Sequence, residues 1–285
     1  SNNGDDGNLQ YDSGDLVAHT IKVTSELDLR WRNNGAFFRV AACHDVENEG
    51  RKELSEVANE LIGQDIDLLD AYVWGDIESG DHVVSWRLGS QVVSWGESTF
   101  IQGGINTINP VDVAKLRLAG SELKEAFLPI DMAWISFDLT QNVSFETLYM
   151  FEYQQVDPDP VGSFWSTNDF ATPGGSYAML GFGTFPQPVT NPDLYQNVCL
   201  LGNLGASDSI LPPQLVGTGC ILALPRVQTR YPSENGQWGA ALRWFAPGLH
   251  DTEFGFYYIN YHSRLPLISG TSVVNSNLNS ANYFV

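Results

Sequence analysis

The sequence predicts an all-β protein: an antiparallel transmembrane β-barrel, or part of a larger one, with long extracellular loops and an inserted, partly helical constriction segment. Three observations predict it. Apolar and polar residues alternate with a period of two over stretches of about 9–13 residues, near the ~9–11 that a tilted strand needs to cross a bilayer. Tight turns alternate along the chain with long connections of about 20, 35 and 80 residues, the loop rhythm of an outer-membrane barrel. Every basic residue assigned to a strand (Lys22, Arg30, Arg32, Arg39, Arg87 and Arg243) falls on the polar face.

Residues 1–15 (SNNGDDGNLQYDSGD) are polar, acidic and rich in turn formers, so they form a loop. From Thr20 to Arg32 the residues Ile21, Val23, Ser25, Leu27, Leu29 and Trp31 share one face. Lys22, Thr24, Glu26, Asp28, Arg30 and Arg32 share the other. Asn33-Asn34-Gly35 supplies a tight turn, since Asn and Gly accept positive φ. The return strand sets Ala36, Phe38, Val40 and Ala42 against Arg39, Cys43 and Asp45. Arg51 to Ile62 has helical spacing, with Leu54, Val57, Leu61 and Ile62 on one side. The third strand, Ile66 to Ile77, places Leu69, Ala71, Val73 and Ile77 opposite Asp70, Tyr72, Trp74 and Asp76. The fourth, His82 to Trp95, places Val84, Trp86 and Leu88 opposite Ser85, Arg87 and Gln91.

Residues 97–131 stop alternating and form the inserted segment. Asn109-Pro110 reads as a helix start, Asn as N-cap and Pro at the first helical position. Ser121 to Ala126 reads as a second short helix that Pro129 ends. Strand five sets Ala133, Ile135, Phe137 and Leu139 against Met132, Trp134, Ser136 and Asp138. Strand six sets Val143, Phe145, Thr147, Tyr149, Phe151 and Tyr153 against Ser144, Glu146, Leu148, Met150, Glu152 and Gln154. Residues 155–236 form a long extracellular loop region, with small strands near 178–184 and 219–223. Gln237 to Phe245 and Thr252 to Ser263 make the last hairpin.

Fourteen basic residues stand against 34 acidic ones, for a formal net charge of −20, which excludes a nucleic-acid partner. No catalytic constellation is visible, so no enzyme is expected: the five histidines are isolated, and Ser94-Trp95-Gly96-Glu97-Ser98 lacks the G-x-S-x-G pattern. Asp5-Asp6, Asp12/Asp15 and Asp157/Asp159 offer oxygen ligands for Ca²⁺, but their spacing fits no loop motif, and no cofactor is expected. Cys199 and Cys220 share the long loop and are the candidate disulfide of an oxidising compartment. A soluble β-sandwich that binds carbohydrate explains the alternation as well. It does not explain why every second connection is tight, nor why Trp31, Tyr153, Trp238 and Trp244 lie near strand ends on the apolar face, as an aromatic girdle does.

On the barrel reading, the lumen and constriction are formed by Arg39, Arg87, Gln91, Glu97, Phe100, Ile105, Asn109, Asp112, Leu116, Glu122, Lys124 and Phe127. The inserted segment is apolar where a general porin is polar, which points to binding and gating of a hydrophobic solute.

The stretch RLGSQVVSWGESTFIQGGINTINPVDVAKLRLAGSELKEAFLPIDMAW, Arg87 to Trp134, resembles the signature block of a large proteobacterial outer-membrane family long labelled a domain of unknown function, which includes alkane-uptake barrels. DDGNLQYDSGDLV (Asp5 to Val17), TNDF (Thr167 to Phe170) and DTEFGFYYINYHSRLPLIS (Asp251 to Ser269) resemble further blocks of it. The resemblance implies uptake of hydrophobic small molecules, alkane- or steroid-like, across the bacterial outer membrane, in contact with its lipids. It also implies a periplasmic or inner-membrane lipoprotein of lipoprotein-carrier fold as partner. Members of the family are about twice this length, so residues 1–285 are expected to be an internal fragment of one larger barrel domain. The alternative from another class is a structural or adhesive surface protein with a blocked lumen.

Overall fold

Eight strands pair in the order in which the chain presents them, each antiparallel to its neighbours, in one open sheet. They are β1 (Thr20–Trp31), β2 (Asn34–Asp45), β3 (Gln64–Ser79), β4 (His82–Gln91), β5 (Ile130–Thr140), β6 (Val143–Met150), β9 (Gln237–Ala246) and β10 (Thr252–Asn260). β1 and β10 are its two edges. Two small pairs, β7 (Tyr177–Met179) with β8 (Ala223–Pro225) and β11 (Gly270–Thr271) with β12 (Tyr283–Phe284), stand apart from it. This computed structural model describes residues 11–51, 54–80, 82–96, 104–117, 126–166, 170–175, 177–179, 223–271 and 283–284. Tight turns join β1 to β2, β3 to β4, β5 to β6 and β9 to β10 at one end of the sheet, and the long connections lie at the other.

The two faces are inverted relative to a soluble sheet. Large apolar side chains on one face are open to the surroundings: Ile66 is 77% exposed, Trp31 74% and Val23 63%. Leu29, Phe38, Val73, Leu88, Ile135, Trp244 and Phe256 continue this surface from strand to strand. Aromatic pairs sit on it, with ring centroids 5.3 Å apart for Trp244–Phe254 and 5.1 Å for Trp238–Tyr258. The buried core lies on the opposite face, where Met132, Leu148, Met150 and Ala241 pack with Val93, Trp95, Ile108 and Ile130. A sandwich expects its apolar face to be covered by a second sheet, and among the described residues that face is uncovered.

Several local expectations change. Leu69 does not join Ala71 and Val73. Arg39 pairs with Asp70 and Val40 with Leu68, so Leu69 is the extra residue of a β-bulge and is buried. The bulge keeps Ile66, Leu68, Ala71 and Val73 on one face, which an unbroken period of two cannot do. β4 ends at Gln91, not Trp95, and the chain then folds back over the polar face. The helical excursion after β2 is two short helices, α1 (Val46–Gly50) and α2 (Glu56–Ile62), capped by Asp45 and Ser55. No helix starts at Asn109-Pro110. Instead α3 (Val113–Arg117) begins beyond Asp112, whose Oδ1 accepts from the Lys115 N–H at 3.0 Å. Tyr153 lies past the end of β6, and its hydroxyl donates to the Ser263 carbonyl at 2.8 Å, so it is no girdle residue of the strand. The second helix expected at Ser121–Ala126 falls largely outside the described residues. Among the described residues no helix is long and apolar enough to cross a membrane, which says nothing of strands.

Gly89 carries the exit of β4. Its φ is +129°, and a Cβ there would lie 2.4 Å from the Ala71 carbonyl oxygen. Gly89→Ala is therefore expected to cost at least about 2 kcal/mol, read as a lowered unfolding midpoint.

Candidate functional site

The polar face is tied together by charge. Arg39 on β2 bridges Glu26 on β1 at 2.9 Å and Asp70 on β3 at 2.8 Å. Arg243 on β9 pairs with Glu146 on β6. Glu146 is the hub of this face: it also accepts from the indole N–H groups of Trp95 at 2.9 Å and Trp134 at 3.2 Å. One carboxylate thus joins strands β5, β6 and β9 to the chain that leaves β4. Half-buried charge-assisted hydrogen bonds are about twice as strong as neutral ones, so this is a firm anchor. Trp95 rests on Gly239, where a Cβ would lie 2.7 Å from the indole ring.

Two further residues pin the inserted segment. Asn109 is buried, and its Oδ1 accepts from the Val93 N–H at 2.9 Å. Its Nδ2 donates to the Gln91 carbonyl at 3.1 Å and the Leu128 carbonyl at 2.9 Å. It therefore ties together the entrance, middle and exit of the insertion. Arg264, just past β10, is buried and donates to the Ile108 carbonyl at 3.0 Å and the Gln154 carbonyl at 3.3 Å. Burial lowers its pKa from the usual arginine value.

At the long-connection end, the insertion closes one side of a cleft of about 390 Å³. Lys22, Cys43, Asp112 and Lys115 line it beside Phe164 and Trp165. Lys115 reaches Asp65 at 3.5 Å and Asp112 at 3.4 Å, and also pairs with Asp67. Arg117 pairs with Asp159 and lies 5.3 Å from the Trp165 ring centroid. Asp112 is pushed above the usual carboxylate range, first by burial and then by Asp65 and Asp159, against the opposing pull of the Lys115 and Ala114 amide N–H groups.

The expected lumen residues separate into distinct roles. Arg39 and Arg87 stand on the polar face as the alternation requires, and Gln91 is fully buried there, donating to the Met132 carbonyl at 3.1 Å. Ile105 packs against the core. Asn109 is a buried staple rather than an open-facing residue. Asp112 lines the cleft, Leu116 is exposed on α3, and Phe127 bridges to Val111. Glu97, Phe100, Glu122, Lys124, Cys199 and Cys220 lie outside the described residues, as do Asp5 and Asp6. Asp12 and Asp15 form a turn, Asp157 accepts from Gln155, and Asp159 is taken by Arg117; no metal-holding group stands among the described residues. Glu146, Lys115 and Arg264 were not foreseen as site residues. Glu146 offered the signal of an acid beside Leu148 and Met150 on one strand face.

Fold and site together define a protein whose antiparallel sheet carries a pinned insertion on its charged face and leaves its apolar face open. The chain belongs to the DUF1302 family, described as a protein of unknown function, whose family model matches residues 1–285. Neither a curated protein nor a solved structure shows significant similarity to it.

Asn109→Ala leaves one buried N–H and two carbonyls without their partner. The expected loss is on the order of 3 kcal/mol, read by denaturant unfolding, with earlier proteolysis inside the insertion. Asp112→Asn keeps the helix cap but removes the titration. Because the folded carboxyl binds its proton more tightly than the unfolded one at about 3.9, wild-type stability relative to the variant declines as pH rises from there through the raised value. Melting curves at pH 4 and pH 7 (set conditions, ~3 pH units apart) check the sign.

Proposed function

We propose that this chain forms the wall and constriction of an outer-membrane β-barrel that passes hydrophobic small molecules, alkane- or steroid-like. The single observation that carries the reading is the inversion of the sheet: apolar side chains exposed across eight strands, with the ion pairs and core on the other side. Soluble monomers rarely expose contiguous apolar surface beyond a few hundred Å². Hydrocarbon tails are the surroundings in which such a face is stable, and the aromatic pairs suit the lipid interface. The likeness of Arg87–Trp134 to alkane-uptake barrels supports the solute class, and makes a lipoprotein of lipoprotein-carrier fold the expected partner. The insertion, pinned by Glu146, Asn109 and Arg264, presents the surface that such a solute meets first.

Ile135, in the middle of β5, faces the proposed lipid, and Ser136 faces the polar side. Ile135→Arg is expected to cost about 2–4 kcal/mol of folding into bilayers, and Ser136→Arg well under half of that. Equal tolerance of the two removes the membrane face. Proteoliposomes carrying the protein are expected to take up labelled steroid faster than empty ones. Correct insertion without uptake favours the adhesive surface protein with a blocked lumen.

A further inference from the structure

Arg87 stands among aromatic rings rather than beside a carboxylate. Other basic side chains are committed to carboxylates: Arg30 to Asp28 at 2.5 Å, Arg39 to Glu26 and Asp70, Arg243 to Glu146, and Lys115 in the insertion to three aspartates. The chain carries 34 acidic and 14 basic residues. Among the described residues, however, the Arg87 guanidinium makes no ion pair and donates no hydrogen bond; its contacts are with aromatic rings. Its centre lies 4.1 Å from the Trp134 ring centroid and 5.7 Å from that of Tyr72. The register puts Trp74 directly across on one side and Trp134 directly across on the other. Asp70 attracts it at a distance but is already bound to Arg39. Arg87, Tyr72, Trp74 and Trp134 border an open cavity of about 440 Å³ on the polar face, toward the tight-turn end and away from the insertion.

We infer that Arg87, with the rings of Tyr72, Trp74 and Trp134, is a binding station for an organic monocarboxylate with a flat apolar body. A guanidinium stacked on aromatic faces keeps its fork of N–H donors in one plane, preset for bidentate pairing with a carboxylate. The indole and phenol faces beside it take the apolar body, as offset stacks. The charge of the surroundings sets the valence. Asp28 and Asp76 also border the cavity, so a second negative charge on the ligand meets repulsion, while one carboxylate meets Arg87, the cation of this lining that has no carboxylate partner among the described residues. A ligand with no charge leaves the guanidinium unpaired and gains only the stacking. The use of this station as a step in uptake rests on the passage proposed above; its occupancy does not.

The test is calorimetric titration of the full chain in detergent with 2-naphthoate, 2-methylnaphthalene and 2,6-naphthalenedicarboxylate. The expected result is saturable one-to-one binding of 2-naphthoate, at least ~10-fold tighter than either other probe. Arg87→Gln is expected to weaken 2-naphthoate about 10- to 100-fold with little change for 2-methylnaphthalene. Arg87→Lys, which keeps the charge without the fork, falls between and carries the test if the glutamine variant fails to give the wild-type circular dichroism spectrum. No saturable binding of 2-naphthoate to the wild type overturns the station, as does equal binding of 2-methylnaphthalene or an affinity indifferent to both substitutions. Binding without steroid uptake by proteoliposomes retires the passage and keeps the station. Uptake of neutral steroid without naphthoate binding does the reverse.

Discussion

The structure depends on parity. Successive side chains of a strand point to opposite faces, so a slip of one residue exchanges the entire content of both. Here the exchange would place Asp70, Trp74 and Asp76, or else Asp65 and Asp67, among Val40, Val73 and Leu88. The bulge at Leu69 prevents it by adding one residue within β3. Below the bulge, Asp65 and Asp67 reach Lys115; above it, Asp70 reaches Arg39. Both halves of a 16-residue strand therefore present their acids to the same side. Leu69 itself is buried at the position where the β2–β3 ladder shifts register.

On that side, the insertion is held by polar contacts that converge from distant points of the chain. Trp95 reaches Glu146, Asn109 reaches Gln91 and Leu128, and Arg264 reaches Ile108. Buried polar networks of this kind tolerate the loss of no member, because each orphaned partner remains in a poorly solvated place. The apolar core of Met132, Leu148, Met150, Ile108 and Val93 shields them from water. Packing and hydrogen bonding thus reinforce each other over the same few strands, while the tight-turn half of the face stays open around Arg87.

Much of the sheet was legible in the residues because alternation is local. Ile21 to Trp31, Ala133 to Leu139 and Trp238 to Trp244 declared their faces without any knowledge of their neighbours, and Asn33-Asn34-Gly35 declared its turn. Pairing across the sheet was not legible. That Leu69 is extra depends on the register of β2, and that Trp95 leaves the β4 ladder depends on Glu146 more than fifty positions later. Asn109 showed the limit of local rules most clearly. An Asn before a Pro is a good helix start in isolation, but here three backbone partners brought in by tertiary folding claimed its side chain first. Arg264 carried no local signal, since two of its hydrogen-bond partners are carbonyls, which every residue has, and the Met150 sulfur and Tyr153 ring beside it lie more than a hundred positions earlier.

The margins of the sheet have a consequence of their own. Among the described residues β1 and β10 carry no strand partner on their outer sides, and each has apolar side chains on one flank. In hydrocarbon every backbone group without a mate costs several kcal/mol, and in water such a row is a template for any strand that drifts by. In the barrel proposed above both seams must therefore be met by a hydrogen-bonding mate, and closure is decided at these two strands rather than in the core.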